Sequence, residues 1–173
     1  MVAEIQPDEF NQTQRILEMS TNREYDHCDA QDRDHRLTTP EENTIDTESI
    51  VRIAAEAALD KKATDLTLLH VEGLTSFCDW FVLCNGSNSR QIQAIGQGIV
   101  DSLKAEGHKP LGVEGMTKSK WILIDLGDIL VHVFDESMRG YYDLDGLWVD
   151  APRVAPSKLG IEVDAEAAAA PSK

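Results

Sequence analysis

The hydrophobic positions divide the chain into a stretch with no sustained period and a stretch with clear ones. From Met1 to about Thr47 the residues are polar, as in "STNREYDHCDAQDRDHRLTTPEEN", and the few apolar ones follow no repeat. Such a segment buries too little surface to offset the entropy of ordering it, so residues 1–47 are expected to form a disordered extension. Within it, Glu9 to Met19 has the spacing of a nascent helix. Order begins near Thr47: "DTESIVRIAAEAALDKKA" sets Ile50, Ile53, Ala54, Ala57 and Ala58 on one face, with Asp46 or Thr47 as cap, which predicts a helix. Asp65 to Val71 reads as a buried strand, and "EGLTSF" as a turn before the strand "DWFVLCNG". A helix then runs from Ser89 to Glu106, with Ile92, Ile95, Ile99 and Leu103 on one stripe and Gly107 as its stop. "PLGVEG" predicts a short strand, and "KWILIDLGDILVHVF" a hairpin turning at Leu126-Gly127-Asp128. "DESMRGYYDLDGLW" predicts a last helix capped by Asp135 or Ser137.

The order helix, strand, strand, helix, strand, strand, strand, helix favours an α/β (α+β) domain: one small mixed sheet with helices packed on it. Helices and strands do not alternate strictly, which argues against a doubly wound fold, and no repeat is visible. The expected domain covers residues 48–154. The Ala- and Pro-rich residues 155–173 read as a flexible tail.

Charge narrows the function. The formal net charge is −15, and residues 1–47 carry 12 acidic residues against 4 arginines, more than half of the excess. Nucleic-acid binding needs clustered Lys and Arg, so no direct nucleic-acid contact is expected, and any polyanion must be approached through a basic protein. Cys28, Cys78 and Cys84 are in no metal-ligand spacing and read as small hydrophobes in a reducing compartment. His27, His35 and Cys28 read as solvated residues. No apolar run reaches about 18 residues, and the acidic N-terminus lacks the apolar core of a signal. A soluble cytoplasmic protein without membrane contact is expected.

Three stretches could carry chemistry. "NGSNSR" ends a strand and opens a helix, so its backbone N–H groups and Arg90 could hold a phosphate, but there is no Walker Lys-Ser/Thr pair and no G-x-G-x-x-G. An ordinary turn and N-cap fits as well. A nucleotidyl-transfer site would also need paired carboxylates for magnesium; Asp125 and Asp128 are candidates, yet "DLGD" is what a hairpin tip requires anyway. His132 lies in a strand interior, where a packed histidine is commoner than a general base, and no Ser or Cys nucleophile accompanies it. More informative are Trp80, Trp121 and Trp148 with Tyr141 and Tyr142, near Asp125, Asp128, Asp143 and Asp145. An aromatic and acidic patch suits a basic protein partner.

At these residues the chain resembles the ribosomal silencing factor (Iojap-related) family. "AAEAALDKKATDLTLLHV", "DWFVLCNGSNSRQIQAI", "PLGVEG", "KWILIDLGDILVHVF" and "YYDLDGLWVDAPR" occur in that order from about Ile50 to Arg153. The resemblance implies a nucleotidyltransferase-like fold without catalytic acids, no cofactor, no metal and no enzymatic activity. It implies a translation repressor that binds ribosomal protein fourteen of the large ribosomal subunit at the subunit interface. There it sterically blocks joining of the small subunit under nutrient limitation; self-association of the free chain is a further option. The tryptophan of "KWILID" matches the family's interface tryptophan, making Trp121 the first expected contact, with Ile122, Leu123, Asp125 and Asp128 as neighbours. Tyr141, Tyr142 and Asp143 match a family motif and are expected to contact the partner or to brace the last helix. The alternative is a small nucleotide-binding transferase using Gly86 to Arg90.

Overall fold

The computed structural model describes residues 47–117 and 120–163. The expected N-terminal disorder, the nascent helix and the residues His27, Cys28 and His35 lie outside the described residues, as do residues 164–173. The elements are α1 (Thr47–Asp60), β1 (Thr64–His70), β2 (Trp80–Gly86), α2 (Ser89–Ala105), β3 (Gly112–Glu114), β4 (Trp121–Asp125), β5 (Ile129–Asp135), α3 (Glu136–Tyr142), α4 (Leu144–Leu147), β6 (Arg153–Val154) and a 3-10 helix (Pro156–Leu159). The six strands form one mixed sheet in the order β3-β4-β5-β2-β1-β6. Only the central pair, β2 with β5, is parallel, Trp80 opposite Ile129 through Gly86 opposite Asp135. The tight turn after Asp125 makes β4 and β5 antiparallel, so the parallel partner of β5 has to be a strand reached through a crossover, here by way of α2.

Alternation along the strands assigns two faces. Leu66, Leu68, Val82, Cys84, Ile122, Ile124, Val131 and Val133 point to one side, where they join Val51, Ala54, Ala58, Ile92, Ile95, Ile99 and Leu103 of α1 and α2 in one buried cluster. α2 lies close to β4 because Gly96 faces it: a Cβ there would come within 2.8 Å of Ile122 Cδ1. The other side of the sheet presents Thr67, Leu69, Phe81, Leu83, Asn85, Trp121, Leu123, Leu130, His132 and Phe134, all buried. α3 packs over β5 and β2 on this side, and the Trp148 ring lies 5.6 Å from that of Phe81.

Two expectations are corrected. The single helix expected over residues 135–148 is two, because Asp143 adopts a left-handed conformation (φ 41°, ψ 50°) that ends α3, and its carboxylate then accepts the Gly146 N–H at 3.1 Å to start α4. Residues 155–163 are also no loose tail. Pro156 opens the 3-10 helix, Gly160 turns the chain at φ 72°, and Ile161 is 2 % exposed in the core cluster with Leu159 and Val163 packed against it, so a few apolar side chains fix a segment whose composition looks like linker.

Candidate functional site

The loop after β2 satisfies itself. Gln91 Oε1 accepts the Ser87 N–H at 2.8 Å and the Ser87 hydroxyl at 2.6 Å, while Gln91 Nε2 donates to the Lys61 and Lys62 carbonyls at 3.1 and 2.7 Å. Asn88 caps α2 by accepting the Gln91 N–H at 2.9 Å. A side-chain amide thus sits where an anion would take the Ser87 donors, and ties the loop to the end of α1. Gly86 is needed for packing, since a Cβ there would meet Ile92 Cγ1 at 2.7 Å. Nucleotide with magnesium is therefore expected to leave Tm unchanged; a rise that grows with ligand concentration, read by thermal shift, would contradict this.

The nearby carboxylates hold local structure. Asp125 Oδ1 accepts the Gly127 N–H at 2.8 Å across the hairpin turn, the reading its sequence context suggested. Asp135 caps α3 through the Ser137 N–H and hydroxyl, and the Ser137 hydroxyl is the chief cause holding its carboxyl below the usual range. Asp145 is paired with Arg139 at 2.9 Å and Arg153 at 3.3 Å. Among the described residues, no three His, Cys, Asp or Glu side chains converge to hold a metal. Burial pushes the Cys78 and Cys84 thiols up to about 12, so neither is a thiolate nucleophile near neutral pH.

Arg139 joins several elements, and its helical sequence context gave no sign of it. From α3 its guanidinium donates to the Asp65 carbonyl (2.9 Å), Asn85 Oδ1 (3.2 Å), Thr67 Oγ1 (2.9 Å) and both carboxylate oxygens of Asp145 (2.9 and 3.3 Å). Because α3 itself contributes no buried residue, this fork is the main polar tie between α3 and the sheet.

Trp121 lies deeper than an interface anchor read from sequence. It is 5 % exposed, stacks with Phe134 at 5.2 Å and lies under Tyr142 at 4.6 Å. Its Nε1–H donates to His132 Nδ1 at 3.1 Å, which leaves His132 neutral with its proton on Nε2; burial lowers its pKa to about 3. Leu123 lies on the same side of the sheet and is also buried. Ile122 points the opposite way into the α1–α2 core with no exposed surface, so its expected place beside Trp121 in a contact is corrected: strand alternation separates the two. Asp128 and Asp143 are exposed. Of the expected residues Tyr141 presents the largest apolar surface, 63 % exposed, and its ring meets that of Tyr142 edge-on at 5.1 Å. Sequence reading missed Leu147 and Val149, exposed by 68 % and 71 %. Three large apolar side chains thus face solvent within residues 141–149, beside the stack that continues through Tyr142 to Trp121.

Comparisons with known proteins bear on the family and the fold. A family model described as "Ribosomal silencing factor during starvation" matches residues 44–173. The ribosomal silencing factor of Bacillus subtilis is 43 % identical over 104 residues, covering 60 % of this chain and 88 % of that protein. A crystal structure from Bacillus halodurans superposes with a TM-score of 0.56 at 35 % identity, covering 62 % of this chain and 98 % of its own. A second, from Chromobacterium violaceum, gives 0.57 at 31 % identity over 72 % and 94 %.

Proposed function

Because the chain belongs to the ribosomal silencing factor family, we propose that it represses translation by binding ribosomal protein fourteen of the large subunit and keeping the small subunit from joining when nutrients are limiting. A ribosome-associated silencing role follows from the family. The manner proposed rests on one observation: three exposed apolar side chains, Tyr141, Leu147 and Val149, lie within residues 141–150 with the exposed Asp143 and Asp150, and Tyr141 meets the aromatic stack that runs through Tyr142 to Trp121. Exposed aromatic and aliphatic side chains on a supported surface are what binding hot spots use. These two carboxylates and the net charge of −15 favour a basic protein surface over ribosomal RNA. In this reading Tyr141 makes the direct contact. Trp121 and Leu123 support it from beneath, and Asp125 and Asp128 add carboxylates along β4 and its hairpin. No catalytic step is needed, since occupying the subunit-facing surface is itself the inhibition.

The test is co-sedimentation of the protein with separated ribosomal subunits. Since Trp121 is buried, Trp121→Ala would confound folding with binding, and the informative variant is Tyr141→Ala/Leu147→Ala. The wild type is expected to pellet with the large subunit only, and the double variant to bind at least about 30-fold more weakly, the equivalent of roughly 2 kcal/mol, while circular dichroism and Tm stay unchanged. Equal pelleting of both proteins would remove this surface from the contact, and pelleting with neither subunit would end the proposal.

A further inference from the structure

A second surface lies on the other side of the sheet. The outer faces of α1 and α2 and the 3-10 segment enclose an open groove of about 900 Å³. Its apolar lining comes from Ile53, Ala57, Leu59, Ala63 and Ala105, and polar surface exceeds apolar. Around it stand Glu56, Asp60, Glu106 and Glu162, all exposed, with Lys62 as the one cation among the lining residues. None of the four carboxylates forms an ion pair with a described residue, and the last turn of α1 carries no basic side chain. Like charges gathered around a hollow repel one another, and solubility alone requires no such convergence.

We infer that this groove docks a Lys/Arg-rich amphipathic helix of a partner protein. The three alanines of the lining let a second helix approach closely, and its apolar stripe would cover Ile53 and Leu59. Glu56 and Asp60, one turn apart on α1, match basic side chains spaced by four on the incoming helix, and Glu106 and Glu162 offer further acceptors. The sign of the charge rejects nucleic acid. It also disfavours the chain's own ends: residues 1–47 carry 12 acidic residues against 4 arginines, and residues 164–173 carry Asp164 and Glu166 against Lys173 alone. Since α1 and α2 cover the side of the sheet opposite Trp121, the groove could be filled while the Tyr141 surface is engaged.

Fluorescence anisotropy of a labelled Leu/Lys amphipathic helical peptide, titrated with the full chain at several salt concentrations, tests this. Two doubly reversed variants gain the same charge: Glu56→Lys/Asp60→Lys in the groove, and Glu72→Lys/Glu136→Lys, both exposed, away from it. The groove variant is expected to bind at least tenfold more weakly and the control less than twofold, with both retaining the wild-type Tm and large-subunit co-sedimentation. Equal weakening in both variants would reduce the effect to net charge and overturn the inference. So would absence of wild-type binding, or binding that emerges only after residues 164–173 are removed, which would give the groove to the chain's own tail.

Discussion

Replacing Arg139 by methionine is expected to lower the unfolding free energy by about 3–5 kcal/mol, the cost of removing one partner from a largely buried ion pair. The side chains of Arg139 and Asp145 are 12 % and 16 % exposed, so water screens their interaction little. Methionine fills similar space but strands the Asp145 carboxylate on Arg153 and leaves Thr67 and Asn85, 6 % and 5 % exposed, without the donors they now accept from. Because α3 has no buried residue of its own, the loss should also loosen α3 and α4, which carry Tyr141 and Leu147, and weaken large-subunit binding in parallel. Lysine keeps the charge but cannot supply the fork, so Arg139→Lys should fall between. Urea unfolding followed by circular dichroism measures the first effect. A loss under about 1 kcal/mol would mean that packing of Tyr142 on Trp121, not this fork, holds the helices down.

Arg139 also shows where sequence reading stops. In "ESMRGYY" it looks like a solvated helix arginine, and its acceptors at Asp65 and Thr67 lie 74 and 72 residues away. Nothing local encodes such a bond. The stripe Ile92, Ile95, Ile99, Leu103, by contrast, predicted α2 within a residue of its observed end, because a buried helix face is written in the spacing itself. The same applies to β2, β4 and β5, whose apolar runs are continuous. Alternation tells that Trp121 and Ile122 point to opposite sides, but not that α3 and α4 cover the second side; Trp121 therefore looked like an exposed anchor. Ile161 was missed for a related reason: Leu159, Ile161 and Val163 are too few to stand out beside Ala- and Pro-rich residues, and their burial depends on packing against the core cluster, which forms only on folding. At the candidate surface, Tyr141 and Asp143 were legible as an aromatic and acidic motif. Leu147 and Val149 carried no such sign, since their exposure follows from the break in the helix at the left-handed Asp143.

His132 leads to the second large effect, a dependence of stability on pH. In the folded chain its pKa is lowered to about 3, chiefly by burial and further by the Arg139 charge, whereas in the unfolded chain it titrates near 6.5. The unfolded state thus takes up a proton that the folded state refuses. The stabilisation is complete above about pH 6.5 and is lost as pH falls towards 3, at up to roughly 1.4 kcal/mol per pH unit. Between pH 7 and 5 the loss amounts to about 2 kcal/mol. His132→Phe removes the titration but leaves the Trp121 N–H without its acceptor, so the variant should be less stable at pH 7 and should lose about 2 kcal/mol less than wild type on going to pH 5. The difference in slope is the readout, because every other titration is common to both proteins and cancels. Parallel curves from urea unfolding at pH 5, 6 and 7 would show that His132 can protonate in place, and Trp121 would then have to give up its hydrogen bond without unfolding the sheet.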